Sequence, residues 1–369
     1  MPQHLYAETL LTPGLGNSFQ WRFHNSGHYL LNTLDPASPV CGALKKAVER
    51  FENTVFELSP DKPTLIEWAN SQDTLEDAAD RRELRLGGAH VFQQSIELFQ
   101  GMQMMTDRDE NPDHLSAIHQ SIGDVMGFIG QRSGSMHFLE QAAMSYEQAL
   151  EIRTEAESPI AWARTRFNLG LVMQTIGLLD DDTRMLKQAL ESIKQAVNHL
   201  PRDQVPAEWA AALSSVGTLL CQLGTHRRGP RTLEQSVVAL RNALGERKQE
   251  NGLWGWILTQ NNLAAALQGL GTHEEDIGSL EASIPVYDSV LKVLSRESAP
   301  LDWTMVSANR ASALYALAAE SDYLEMAETS QSEFDKVHNV FKDTEYTNYR
   351  EAAREGSQKS RQLAESLQV

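Results

Sequence analysis

Between Trp162 and Ile176 the apolar residues Trp162, Leu169, Val172, Met173 and Ile176 recur at helical spacing. The polar turn DDDTR at 180–184 follows, then a second amphipathic run, LKQALESIKQAVNHL at 186–200. The whole pattern repeats. Trp162, Trp209, Trp256 and Trp303 are each 47 residues apart, and the same step backward from Trp162 reaches Leu115 and then Trp68. Other columns keep the phase. Eight residues after each frame position stand Gly123, Gly170, Gly217, Ala264 and Ala311; fifteen after stand Gly130, Gly177, Gly224, Gly271 and Ala318. Twenty-four after come Leu139, Leu186, Leu233, Leu280 and Ala327, with Ala142, Ala189, Ser236 and Ser283 three residues further on. Ala149, Ala196, Ala243 and Val290 close the frame.

These columns predict a helix A at the start of each frame, stopped by a glycine such as Gly177, where a positive φ is easiest. A polar turn and an amphipathic helix B follow. Thr232 with Gln235 suggests a capping box at one B start, while Pro201 and the Pro159 and Pro300 regions are expected to end other helices. Pro285 falls inside a B helix that should begin near Ser279, and is expected to kink it or delay its start. Small residues at Gly170, Ala189 and Ala196 would let the paired helices approach closely. One helix pair cannot bury its apolar stripe alone, so neighbouring pairs must stack.

The run N-L-G at 168–170, Gly177, the pair Ala189 and Ala196, and Pro201 resemble the signature of the tetratricopeptide (TPR) family over about residues 113–320. The longer period resembles expanded TPR arrays of bacterial proteins, the excess being a longer turn and an extra helical turn that carries the tryptophan. The resemblance implies an all-α solenoid, a right-handed superhelix of antiparallel helix pairs. On this reading 1–60 is a divergent N-terminal helical region, 61–343 the array framed on Trp68, Leu115, Trp162, Trp209, Trp256 and Trp303, and 344–369 a capping helix with a frayed tail. The segment FQQSIELFQGMQMM at 92–105 reads as a helix B, LKKAVERFENTVFELSP at 44–60 as part of an earlier repeat, and the helix B after Trp303 as displaced.

Charge narrows the partners. With 32 Lys+Arg against 50 Asp+Glu the formal charge is -18, which repels phosphates and anionic lipid, so neither nucleic acid nor membrane is expected as a partner. Only Cys41 and Cys221 occur, too far apart for a metal knuckle, and no basic-then-apolar leader or apolar run of membrane-spanning length is present; a cytoplasmic location is the expectation. No catalytic residue, metal or cofactor is assigned. His24 and His28 lack a third ligand nearby, and His226 and His273 share one turn position. His114 and His119 face different directions. Gly14–Ser18 has no following lysine to make a phosphate loop. The tryptophans read as packing between repeats before they read as a stacking ladder, and Arg227, Arg228 and Arg231 as a solvated turn.

The family resemblance implies that helix A lines an inner, concave groove. Its candidate partner-binding residues are Gln120, Asp124, Arg164, Asn168, Gln174, Ser214, Thr218, Gln222, Asn261, Asn262, Gln268, Asn309, Ser312 and Tyr315. They are mostly amides and hydroxyls, which donate and accept together and suit the backbone of an extended peptide. No lysine is among them, so the two-carboxylate clamp of chaperone-binding TPR proteins is not recognisable. The chain reads as a non-enzymatic adaptor or scaffold for a protein or peptide with basic flanks. The alternatives are a ligand-responsive regulatory sensor and an accessory subunit of an enzyme that uses the N-terminal region; self-association is a rival use of the same surface.

Overall fold

A computed structural model describes residues 96–97, 99–227, 229–296, 300–342 and 347–368. The readings of Trp68, 44–60, His24, His28, Gly14–Ser18 and Cys41 lie outside the described residues. Within them the chain is all α. The helices are α1 (Pro112–Ser133), α2 (Met136–Ile152), α3 (Pro159–Leu179), α4 (Thr183–His199), α5 (Pro206–Arg227), α6 (Pro230–Ala243), α7 (Leu253–Glu274), α8 (Ile277–Leu291), α9 (Pro300–Ser321), α10 (Leu324–Phe341) and α11 (Thr347–Leu367). Before α1, residues 99–105 are helical, with Phe99 and Met102 buried. Every A helix opens three residues before its frame residue, as Pro159 does before Trp162, and every B helix twenty-one after, as Thr183 does.

The described residues fall into two compact units, one reaching Ala212 and the other starting at Leu213. In the first, α1 packs on α2, α2 on α3 and α3 on α4, with α1 also touching α3. In the second, α6 through α11 pack in chain order, and α7 touches α9. Each unit is thus a stack of helices in sequence order, the arrangement of an α-solenoid.

The glycine columns explain the pairing. A Cβ added at Gly123 would lie 2.8 Å from the Tyr146 ring, one at Gly170 2.4 Å from Ile193, and one at Gly217 2.5 Å from Leu240. Along the same helices, Cβ atoms at Gly130, Gly177, Gly224 and Gly271 would strike Leu139, Leu186, Leu233 and Leu280 at 2.6–2.9 Å. Advancing along A therefore means retreating along B, so each pair is antiparallel. The glycines leave room for the B-helix side chains that pack onto helix A.

Gly177 accordingly does not stop its helix. α3 runs on to Leu179, and the left-handed residue is Asp181 at φ 52. Glu275 (φ 54), Asp322 (φ 56) and Gly134 (φ 63) hold the same frame position, nineteen residues in. A side chain costs about 1 kcal/mol there relative to glycine. Glu275→Gly is therefore expected to raise the melting temperature of the protein, and thermal unfolding that shows no rise would remove strain from the account of this turn.

Other terminators also differ from expectation. Pro159 and Pro300 open α3 and α9 instead of ending the preceding helices, because proline is tolerated where no N–H is needed. Thr232 lies inside α6, whose N-cap is Gly229, so no capping box forms with Gln235. Pro285 sits within α8 without delaying it; it is exposed, so water can serve the carbonyl it leaves unbonded. The helix B after Trp303 begins at Leu324, in phase, and α11 is helical to Leu367.

α11 closes the second unit. Gly356 meets the Phe334 ring, the Ser360 and Ser330 hydroxyls bond at 2.9 Å, and Ala353 and Ala364 are buried against α10 and its neighbours. An ion triad joins three helices of this unit. Arg310 of α9 donates from Nε to Asp288 Oδ1 of α8 at 2.6 Å and from Nη1 to Glu333 Oε1 of α10. Burial pushes the Glu333 carboxyl above its ordinary range, and Arg310 pulls it back.

Candidate binding face along the A helices

The A helices present the amides and hydroxyls singled out from the sequence, and the structure brings most of them together between neighbouring A helices. In the first unit Asn168 donates to Asp124 at 3.1 Å, and Tyr146 of the paired B helix reaches the same carboxylate oxygen at 2.7 Å. Gln120 accepts from Thr165 at 3.0 Å. In the second unit Asn262 donates to Thr218 at 2.8 Å and Asn309 to Asn261 at 3.1 Å, while Ser214 bonds to Thr259 at 3.0 Å and Gln268 accepts from Tyr287 at 3.0 Å.

These bonds bury the ladder. Asp124, Thr218, Gln222 and Asn261 have no exposed surface, and Asn168, Gln174, Ser214, Asn262, Gln268, Asn309 and Ser312 are also buried. Their burial departs from the expectation that they line a concave groove, and Asp124, Asn168, Ser214, Thr218, Asn261, Asn262 and Asn309 bond helix to helix instead. The physical reason is that an A helix in a stack is flanked by its own B helix and by the next A helix, leaving a narrow strip open. Gln120 and Tyr315 are half-buried, and Arg164 is exposed. Arg164 forms a two-bond fork with Glu208 at 2.7 and 2.8 Å, and this bond holds its guanidinium above its ordinary range.

Trp162, Trp209, Trp256 and Trp303 are half-buried in the first turns of their helices. Trp162 meets the His199 ring edge-on at 5.1 Å, with the Arg166 guanidinium 5.6 Å from its centre; Arg202 lies 4.8 Å from the centre of Trp209. Such contacts tie a B-helix end to an A-helix start. Of the remaining candidates, burial lowers His119 below its ordinary range, and burial drives the Cys221 thiol up to about 12, leaving it inert as a nucleophile. Arg231 is exposed. No group of three or more His, Cys, Asp or Glu among the described residues could hold a metal ion, and none of the described helices is long and apolar enough to cross a membrane.

Two residues were missed by reading one frame at a time. Arg153 and Arg247 each stand thirty-eight positions after a frame residue, Leu115 and Trp209, and each reaches into the next A helix. The intervening frames carry Leu200 and Leu294, both buried, at that position. The threonines they meet, Thr165 and Thr259, alternate in the same way with Ala212 and Val306. A search at twice the basic period would have found both.

Compared with family models, the sequence matches none, and no curated protein matches it.

Proposed function

We propose that the chain is a non-enzymatic protein-interaction module of TPR type, an adaptor or scaffold that holds a segment of a partner protein along its A helices. The observation that supports this is the ladder itself. Hydrogen bonds between neighbouring A helices set them side by side within each unit, with the polar residues Gln120 and Arg164 left partly open in the first unit and Tyr315 in the second. Helices held in register let the polar residues left open in each unit meet an extended backbone at little ordering cost. The acidic chain adds a preference for basic flanks in the partner, a contribution that falls with added salt.

Mutating the buried asparagines would damage the stack, so the test uses surface positions. Proteins captured by the full chain from its own cell extract would be identified, and their binding segments measured against Gln120→Ala, Arg164→Ala and Tyr315→Ala variants. The expected outcome is about a tenfold loss for the combined variant with folding intact. Undiminished affinity would move the site away from the A helices.

A further inference from the structure

Arg153 and Arg247 hold equivalent positions but differ in how fully the protein uses them. Nη1 of Arg153 donates to Gln120 Oε1 at 2.6 Å and to Thr165 Oγ1 at 3.2 Å. Nη1 of Arg247 donates to the Gly255 carbonyl at 3.0 Å and to Thr259 Oγ1 at 3.1 Å. Where the first unit has Gln120, the second has Ser214, whose short side chain bonds to Thr259 instead. Both Arg247 bonds leave from Nη1, so the Nε and Nη2 edge of Arg247 has no hydrogen bond among the described residues.

The surroundings of that edge favour an anion. Gly255 brings the A-helix backbone flush against the guanidinium, since a Cβ there would lie 3.3 Å from Cζ. Arg247 is half-buried. Burial lowers its pKa to about 10, and no carboxylate among the described residues acts to raise it. A half-buried guanidinium that faces no acid is a ready anion receptor. One guanidinium offers a single charge, in a chain whose net charge of -18 disfavours dianions, so a carboxylate matches it better than a phosphate.

We propose that Arg247 is a carboxylate-binding residue, its Nε and Nη2 edge taking one carboxylate of a bound polypeptide in a two-bond fork. This rests on the reading of the chain as a peptide-binding module. The carboxylate is supplied by an acidic side chain or by a chain end.

The test presents the full chain with three random peptide libraries of equal length. The first has free C-termini and no Asp or Glu, the second amidated C-termini with Asp and Glu, and the third amidated C-termini with neither. Wild type is expected to retain one of the first two at least about tenfold over the third, and which one identifies the source of the carboxylate. Arg247→Met should abolish that preference, and Arg247→Lys should weaken it because an ammonium lacks the fork. Circular dichroism and melting curves establish that each variant is folded. Equal retention of the third library overturns the role of Arg247 while leaving peptide binding standing, and so does a folded Arg247→Met chain with wild-type preference. Retention of no library overturns both.

Discussion

Replacing Arg310 by methionine is expected to destabilise the second unit by about 3 kcal/mol at neutral pH, the scale of a buried ion pair that loses one partner. Methionine keeps most of the packing volume, so the loss is electrostatic. It leaves Glu333, 17% exposed, beside Asp288, 40% exposed, with their shared cation gone. The pH dependence identifies the cause. Glu333 already binds its proton more tightly when folded, because burial raises it. A raised folded value contributes stability below the unfolded pKa, and that contribution is lost as pH rises through the folded one. Without Arg310 the folded value climbs further. The deficit of Arg310→Met should therefore shrink as pH falls through that raised value, and Arg310→Met with Glu333→Gln should lose less at neutral pH than the single variant. Hydrogen exchange of α8–α10 amides across pH measures this, and a deficit that stays flat with pH would exclude the triad as its origin.

The second large effect is expected at Gly170. Valine there should cost the α3 and α4 pair about 3 kcal/mol, at the upper end of overpacking penalties. Alanine should cost about 2 kcal/mol even though it is the better helix former by about 1 kcal/mol. The clash decides the sign, because the added Cβ would lie 2.4 Å from Ile193 Cγ1 and 3.2 Å from the Ala189 carbonyl oxygen, which is backbone and cannot rotate away. Shortening Ile193 to alanine opens a cavity in wild type but relieves the clash in the variant. The double change should thus be less damaging than the two single losses added. Stacked repeats need not unfold in one step, so local exchange in α3 and α4 is the proper readout. Additive losses would mean that Gly170 is kept for some reason other than Ile193.

The frame was plain in the chain because each column has one physical job. Gly170 and Gly177 lie under Ile193 and Leu186, and the same two contacts recur at Gly217 with Leu240 and at Gly224 with Leu233. What composition could not separate was two uses of the same residue. A glycine near a helix end signals either a left-handed stop or a close approach; here the stop fell on Asp181, Glu275 and Asp322, which send no glycine signal. Likewise an asparagine on helix A is polar whether it faces solvent or bonds across to the next helix. Asn168 and Asn262 proved to do the latter, with Asp124 and Thr218 as partners. Arg247 escaped notice because its counterpart lies two frames away, at Arg153.

The alternation of Arg153 and Arg247 with Leu200 and Leu294 also limits how such a gene can change length. Excising residues 162–208 would splice the Leu115 frame onto the Trp209 frame, setting Arg153 against Ala212, whose methyl group offers a guanidinium nothing. Excising residues 162–255 would set Arg153 against Thr259 and Asp124 against Asn262, the same kinds of partner each has now. Insertions and deletions that survive recombination should therefore come in pairs of repeats, making the helix quartet the heritable module.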